Sequence, residues 1–154
     1  MGHPEALEHF KAGLQLLRSA YAGKSLPYFK KALALDDNNP FYLSYLGLSL
    51  AAAERNWDEA ESACLSALRM MRTQPELYLN LAQVYLLAGK KEDAAETLTD
   101  GLRFTKKDPR LVAALRKLNA RRQAVLPFLS RTSAVNRGLG KLRHRVLKSI
   151  TKEA

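Results

Sequence analysis

Residues 40–74 read PFYLSYLGLSLAAAERNWDEAESACLSALRMMRTQ, and residues 75–108 read PELYLNLAQVYLLAGKKEDAAETLTDGLRFTKKD. Placed one above the other, the two stretches align proline with proline, Gly47 with Ala82, and Ala67 with Gly101. The same markers continue outward. Prolines recur at Pro40, Pro75 and Pro109, small residues at Gly13, Gly47 and Ala82, and again at Ala32, Ala67 and Gly101. Three independent series share a step of 34 or 35 residues, which is the signature of a repeated supersecondary unit.

Each unit holds two helical patterns. The first begins at a proline and carries apolar residues at three- and four-residue spacing, as in Leu43, Leu46, Leu50 and Tyr78, Leu81, Tyr85. The second follows a turn at Gly23-Lys24-Ser25, Arg55-Asn56 or Gly89-Lys90. It runs through Ser25, Phe29 and Ala32, then Ala60, Cys64 and Ala67, then Ala94, Leu98 and Gly101. The prolines suit first helical positions, where the missing N–H has no partner to lose. Asn39 and Asp108 suit the N-caps before two of them. Asn56 and Glu59 have the spacing of a capping box. Gly23 and Gly89 are expected to take the left-handed conformation that ends a helix. No two-residue alternation is sustained, so strands are not expected. The fold class predicted is all-α: a short helix–turn–helix solenoid.

These residues resemble the tetratricopeptide repeat family, whose unit is a 34-residue helix–turn–helix with small residues at the helix crossing. The resemblance rests on Leu46-Gly47-Leu50-Ala60-Cys64-Ala67 and Leu81-Ala82-Tyr85-Ala94-Leu98-Gly101, with a weaker version in Ala12-Gly13-Leu16-Ser25-Phe29-Ala32. The family's usual first-helix Trp is replaced by His9, Leu43 and Tyr78. The second unit has one extra residue, which predicts a longer turn at Glu54–Asn56. The expected units are residues 6–39, 40–74 and 75–108, closed by a capping helix over 109–124. Residues 1–124 are then one repeat domain, and 125–154 a basic C-terminal segment. A pair of helices cannot bury its apolar face alone, so units stack.

Composition sets the other limits. The chain has 154 residues, 47% hydrophobic and 26% charged, as in a folded globular protein. One cysteine, Cys64, excludes an internal disulfide framework, and its repeat position makes it a small packed hydrophobe. No apolar run has the length of a membrane span, and the start has no basic-then-apolar leader, so a cytoplasmic chain is expected. His3, His9 and His144 lack metal-ligand spacing, so no metal is expected. Gly23-Lys24-Ser25 lacks the earlier glycine of a phosphate-binding loop, since Arg18 stands there, and is read as a turn plus N-cap. No acid–base pair or activated nucleophile is evident. The sequence reads as a non-enzyme with no cofactor and no small-molecule substrate.

Two surfaces remain as candidate sites. On the first helices a second stripe, rotated from the packing stripe, holds Phe10, Leu14 and Leu17, then Phe41, Tyr45 and Leu48, then Leu79, Asn80, Gln83 and Leu86. In the family resembled, this stripe lines a concave groove for peptides or partner helices. The resemblance therefore implies a scaffold, adaptor or chaperone-like module whose partner is another protein. Helix-in-groove physics would suit its mostly apolar lining. The alternative for the stripe is burial by neighbouring helices. Some members clamp a peptide's terminal carboxylate with Lys, Arg and Asn. Phe10, Leu14, Ser44 and Leu48 offer no positive charge, and only Asn80 is suggestive, so the clamp is not expected. A narrower resemblance is to the small three-repeat chaperones of bacterial secretion systems.

The second surface is basic. The net charge of +10 is concentrated at the C-terminal end: residues 1–104 hold 11 Lys/Arg and 13 Asp/Glu, whereas 105–154 hold 14 and 2. The capping helix ends in Arg121 and Arg122. Beyond the apolar, proline-broken stretch Val125–Leu129, Leu139, Leu142, Val146, Leu147 and Ile150 recur at helical spacing. Arg137, Lys141, Arg143, Arg145 and Lys148 fill the remaining positions. Such a basic amphipathic segment is the second functional expectation, binding an anionic surface such as nucleic acid or acidic lipid.

Overall fold

The structure, a computed structural model, describes residues 3–120. These form seven α-helices: α1 Pro4–Arg18, α2 Ala22–Leu35, α3 Pro40–Glu54, α4 Trp57–Met70, α5 Pro75–Leu87, α6 Lys91–Phe104 and α7 Pro109–Ala120. There is no strand among the described residues. Consecutive helices pair as α1 with α2, α3 with α4 and α5 with α6, and α3 packs in turn on α2 and α5. This is the stacked helix–turn–helix solenoid that the period predicts. Residues 3–116 belong to one compact unit. Arg121, Arg122, Arg137, Lys141, Arg143, Arg145 and Lys148, with the Val125–Leu129 stretch, lie outside the described residues.

The small residues at the crossings work as expected. A Cβ on Gly47 would lie 2.7 Å from the Ala60 carbonyl oxygen and 2.9 Å from Cys64 Sγ. On Gly13 it would meet the Phe29 ring at 2.8 Å, and on Gly101 the Tyr78 ring at 2.8 Å. Side chains there would push the helix axes apart. The core beneath is continuous through Leu26, Phe29, Leu46, Leu50, Cys64, Leu81 and Val84.

Local capping follows sequence chemistry in part. Asn39 Oδ1 accepts from the Phe41 N–H at 3.1 Å, and Asp108 Oδ1 from the Arg110 N–H at 2.9 Å, so both N-caps form. Arg55 takes a left-handed conformation (φ 54°) at the end of α3. The turn expected to be longer at Glu54–Asn56 is shorter: two residues, 55 and 56, join α3 to α4, against three in the other two pairs, and the extra residue of the second unit lengthens α3 instead.

Three further local expectations are corrected. Gly23 lies inside the first turn of α2, and the left-handed residue of that turn is Ala20 (φ 64°). Ala20 stands where Gly89 (φ 76°) stands in the third unit. The Tyr21 N–H to Leu16 carbonyl bond matches the Lys90 N–H to Tyr85 carbonyl bond. Ser25 is not an N-cap. It is fully buried, with its hydroxyl donating to the Ala22 carbonyl and 3.0 Å from that of Ser49. Asn56 and Glu59 bond through their side chains, Nδ2 to Oε2 at 2.6 Å, and Asn56 makes no side-chain bond to the helix backbone.

Candidate peptide-binding face

The face is built by α1, α3 and α5, the first helices of the three pairs, with α7 continuing the series. Their apolar spacing wraps most of the helix. In α3 eight residues are buried, so one side packs inside its own pair and another packs on the neighbouring pair. What remains exposed is a narrow strip.

On that strip the predicted residues have different fates. Phe10 sits in an aromatic cluster that joins the first two units. Its ring centroid is 4.7 Å from that of Tyr42, 5.4 Å from Tyr45 in an edge contact and 5.8 Å from Phe29. Phe29 stacks on Tyr45 at 5.9 Å. Leu14, Leu17, Tyr45 and Leu48 are half-buried against the main core, and Phe41 against a smaller one. Leu79 and Leu86 are half-buried and Gln83 is exposed. Asn80 is buried, and its Nδ2 donates to Ser44 Oγ at 3.0 Å across the α3–α5 contact. It is a structural polar pair between two first helices. Leu7 and Leu87 extend the strip with exposures of 44% and 43%.

Two residues outside the predicted lining, Glu76 and Arg110, organise its centre together with Tyr45. Glu76 accepts a hydrogen bond from the Tyr45 hydroxyl and receives Arg110 Nη1 at 3.2 Å. Tyr45, Glu76 and Arg110 thus bridge α3, α5 and α7. Burial, then the bond to Glu76, pushes the Tyr45 hydroxyl pKa well above its ordinary value. Arg18 stands close enough to counteract that rise. Positive charge therefore does reach this face, through Arg18 and Arg110. Asp108 also pairs with Arg110, which holds its carboxyl below the usual range. The signal for the Glu76–Arg110 pair was present in the sequence: the two residues are 34 apart, one unit.

No group of three or more His, Cys, Asp or Glu side chains among the described residues is arranged to hold a metal ion. No helix among them is long and apolar enough to cross a membrane. Cys64 is fully buried, and burial pushes its thiol up to about 12, the opposite of an activated nucleophile.

A solenoid of helix pairs with Gly or Ala at each crossing defines a class of repeat proteins that act through their surfaces. Comparison with known proteins specifies the class. The tetratricopeptide repeat family model matches residues 51–118. A TPR repeat-containing thioredoxin from Arabidopsis thaliana is 33% identical over 88 residues, covering 57% of this chain. The chain spans 13% of that relative's length. Among solved structures, the Sgt2 TPR domain from Aspergillus fumigatus superposes with a TM-score of 0.64 at 17% identity, covering 88% of this chain and 95% of that one. The second TPR domain of human RPAP3, in complex with an HSP70 peptide, gives 0.60 at 15%, covering 77% and 98%. The Yersinia enterocolitica type III secretion chaperone SycD, in complex with a peptide of the translocator YopD, gives 0.57 at 15%, covering 75% and 93%. The chain is thus similar to tetratricopeptide repeat proteins in sequence over residues 51–118 and in fold over the described helices.

Proposed function

We propose that the chain is a non-catalytic, cytoplasmic adaptor that holds a peptide or helical segment of another protein against its first-helix face. The observation that carries this reading is the strip itself. Half-buried Leu14, Leu48, Leu79 and Leu86 run along successive first helices beside the polar Tyr45–Glu76–Arg110 bridge. Apolar anchors with one polar registration point are what peptide grooves present. The solved relatives captured with HSP70 and translocator peptides support a peptide as the ligand class. Glu76 at the centre favours a ligand without a terminal carboxylate at that point, because like charges there repel.

The test is selection of peptides from a displayed library on the full chain, followed by Leu79→Asp and Leu86→Asp. Selected peptides should carry apolar anchors and lose about tenfold or more in affinity to each variant, while helical content is retained. Selected ligands that bind both variants as well as the parent would overturn the assignment of the face.

A further inference from the structure

The opposite side of the stack, formed by second helices, holds a trough that the peptide face does not use. α4 supplies one wall through Glu61, Leu65 and Leu68. α6 supplies the other through Asp93, Glu96 and Asp100. α5 forms the floor with Tyr78, Leu81 and Tyr85. The trough encloses about 360 Å³. Each row spans eight residues from first to last, about two helical turns or ~10 Å.

Its chemistry is two-sided. Tyr78 and Leu81 are buried at the bottom, and the accessible apolar surface comes from Leu65, 36% exposed, with half-buried Leu68 and Tyr85. The lining includes four carboxylates and no Lys or Arg. Two of the four are partly neutralised. Glu61 accepts from the Tyr85 hydroxyl at 2.8 Å and is reached by Lys90 at 3.6 Å, and Asp100 pairs with Arg103 at 3.1 Å. Asp93 and Glu96 are exposed and form no ion pair among the described residues.

We propose that this trough docks a basic amphipathic helix of a partner protein. Its apolar side chains would lie on Leu65, Leu68 and Tyr85, and its Lys or Arg side chains against Asp93 and Glu96. Charge complementarity selects the partner's sign: Asp93 and Glu96, beside the already paired Glu61 and Asp100, repel nucleic acid and acidic lipid and attract cations. The accessible apolar surface selects an amphipathic ligand over a free polyamine, which has no apolar side chains to bury there. The matched rows of two turns select a helix, whose anchors recur at i, i+3 or i+4, and i+7. The trough is distinct from the peptide face, so the two sites can be occupied independently.

The probe is a fluorescent synthetic peptide copying residues 137–150, whose Leu139, Leu142 and Val146 alternate with Arg143, Arg145 and Lys148. Anisotropy with the full chain should show saturable, salt-sensitive binding. Asp93→Lys/Glu96→Lys should weaken it about tenfold and flatten its salt dependence. Leu79→Asp, on the other face, should leave it unchanged. Three results would each overturn the proposal: no saturable binding; equal binding of a peptide of the same composition with its apolar stripe scrambled; or loss of binding in Leu79→Asp with none in the double variant. The first and second say nothing against the peptide face, so the two sites fail separately.

Discussion

In the second and third pairs the first and second helices share length and helical content but carry opposite burdens, whereas in the terminal first pair α1 buries two residues and α2 four. α3 buries eight of its 15 residues and α5 six of 13, whereas α4 and α6 bury three of 14 each. α3 is packed by its own partner α4 and by α2 and α5 on either side. A second helix needs only one stripe, here Ala60, Cys64 and Ala67 or Ala94, Leu98 and Gly101. The consequence is that α4 and α6 are free to vary in charge, and the acidic walls of the trough fall there. α3 and α5 have little surface left to vary, and what they leave open on that side is a few half-buried leucines and one polar bridge.

The sharpest way to break this contrast is at a crossing, where both helix types meet. Gly47→Leu should destabilise by about 3 kcal/mol, the upper end of ordinary overpacking, because one clashing atom is a backbone oxygen that cannot rotate away. A melting curve like that of the parent would contradict the crossing geometry. A smaller effect is expected between first helices. Asn80→Ala removes the partner of a buried hydroxyl and should lower stability by about 1–2 kcal/mol in denaturant titration. Glu96→Ala, on a second helix, should stay within about 0.5 kcal/mol. Equal effects of Asn80→Ala and Glu96→Ala would erase the distinction between the two helix types. An effect of the opposite sign concerns the first turn. Ala20→Gly should raise stability by about 0.5–1 kcal/mol, since a side chain at φ 64° is strained and glycine is not. A loss of stability there would show that the left-handed turn is not retained in solution.

That turn also shows how far the sequence could be read. The period was legible because prolines and crossing residues are forced by geometry: only a small residue fits where a Cβ would strike a neighbouring helix. Composition then misled at Gly23. Repeat arithmetic points to Ala20, which aligns with Gly89, but a glycine three residues later drew the assignment. Intrinsic preference for left-handed backbone is weaker than the packing that fixes where α1 must end. The site was less legible than the fold. The stripe placed Leu14, Leu48, Leu79 and Leu86 on the first helices, where all four are half-buried. It could not show that Asn80 is turned inward to Ser44 while Glu76, one turn away, faces Tyr45 and Arg110. A rotation of that size about a helix axis lies below the resolution of a pattern in three- and four-residue steps. The trough was invisible for a related reason. Its carboxylates are ordinary solvent-face residues on each helix, and they converge only when α4 and α6 are laid side by side on α5.

The sealed thiol of Cys64 has a practical consequence. With no other cysteine in the chain and the sulfur fully buried, native protein should react with maleimide or iodoacetamide only as fast as the α3–α4 pair opens. The rate of modification then serves as a clock for local unfolding. A cysteine introduced on the surface can meanwhile carry a dye or spin label without first deleting the native one.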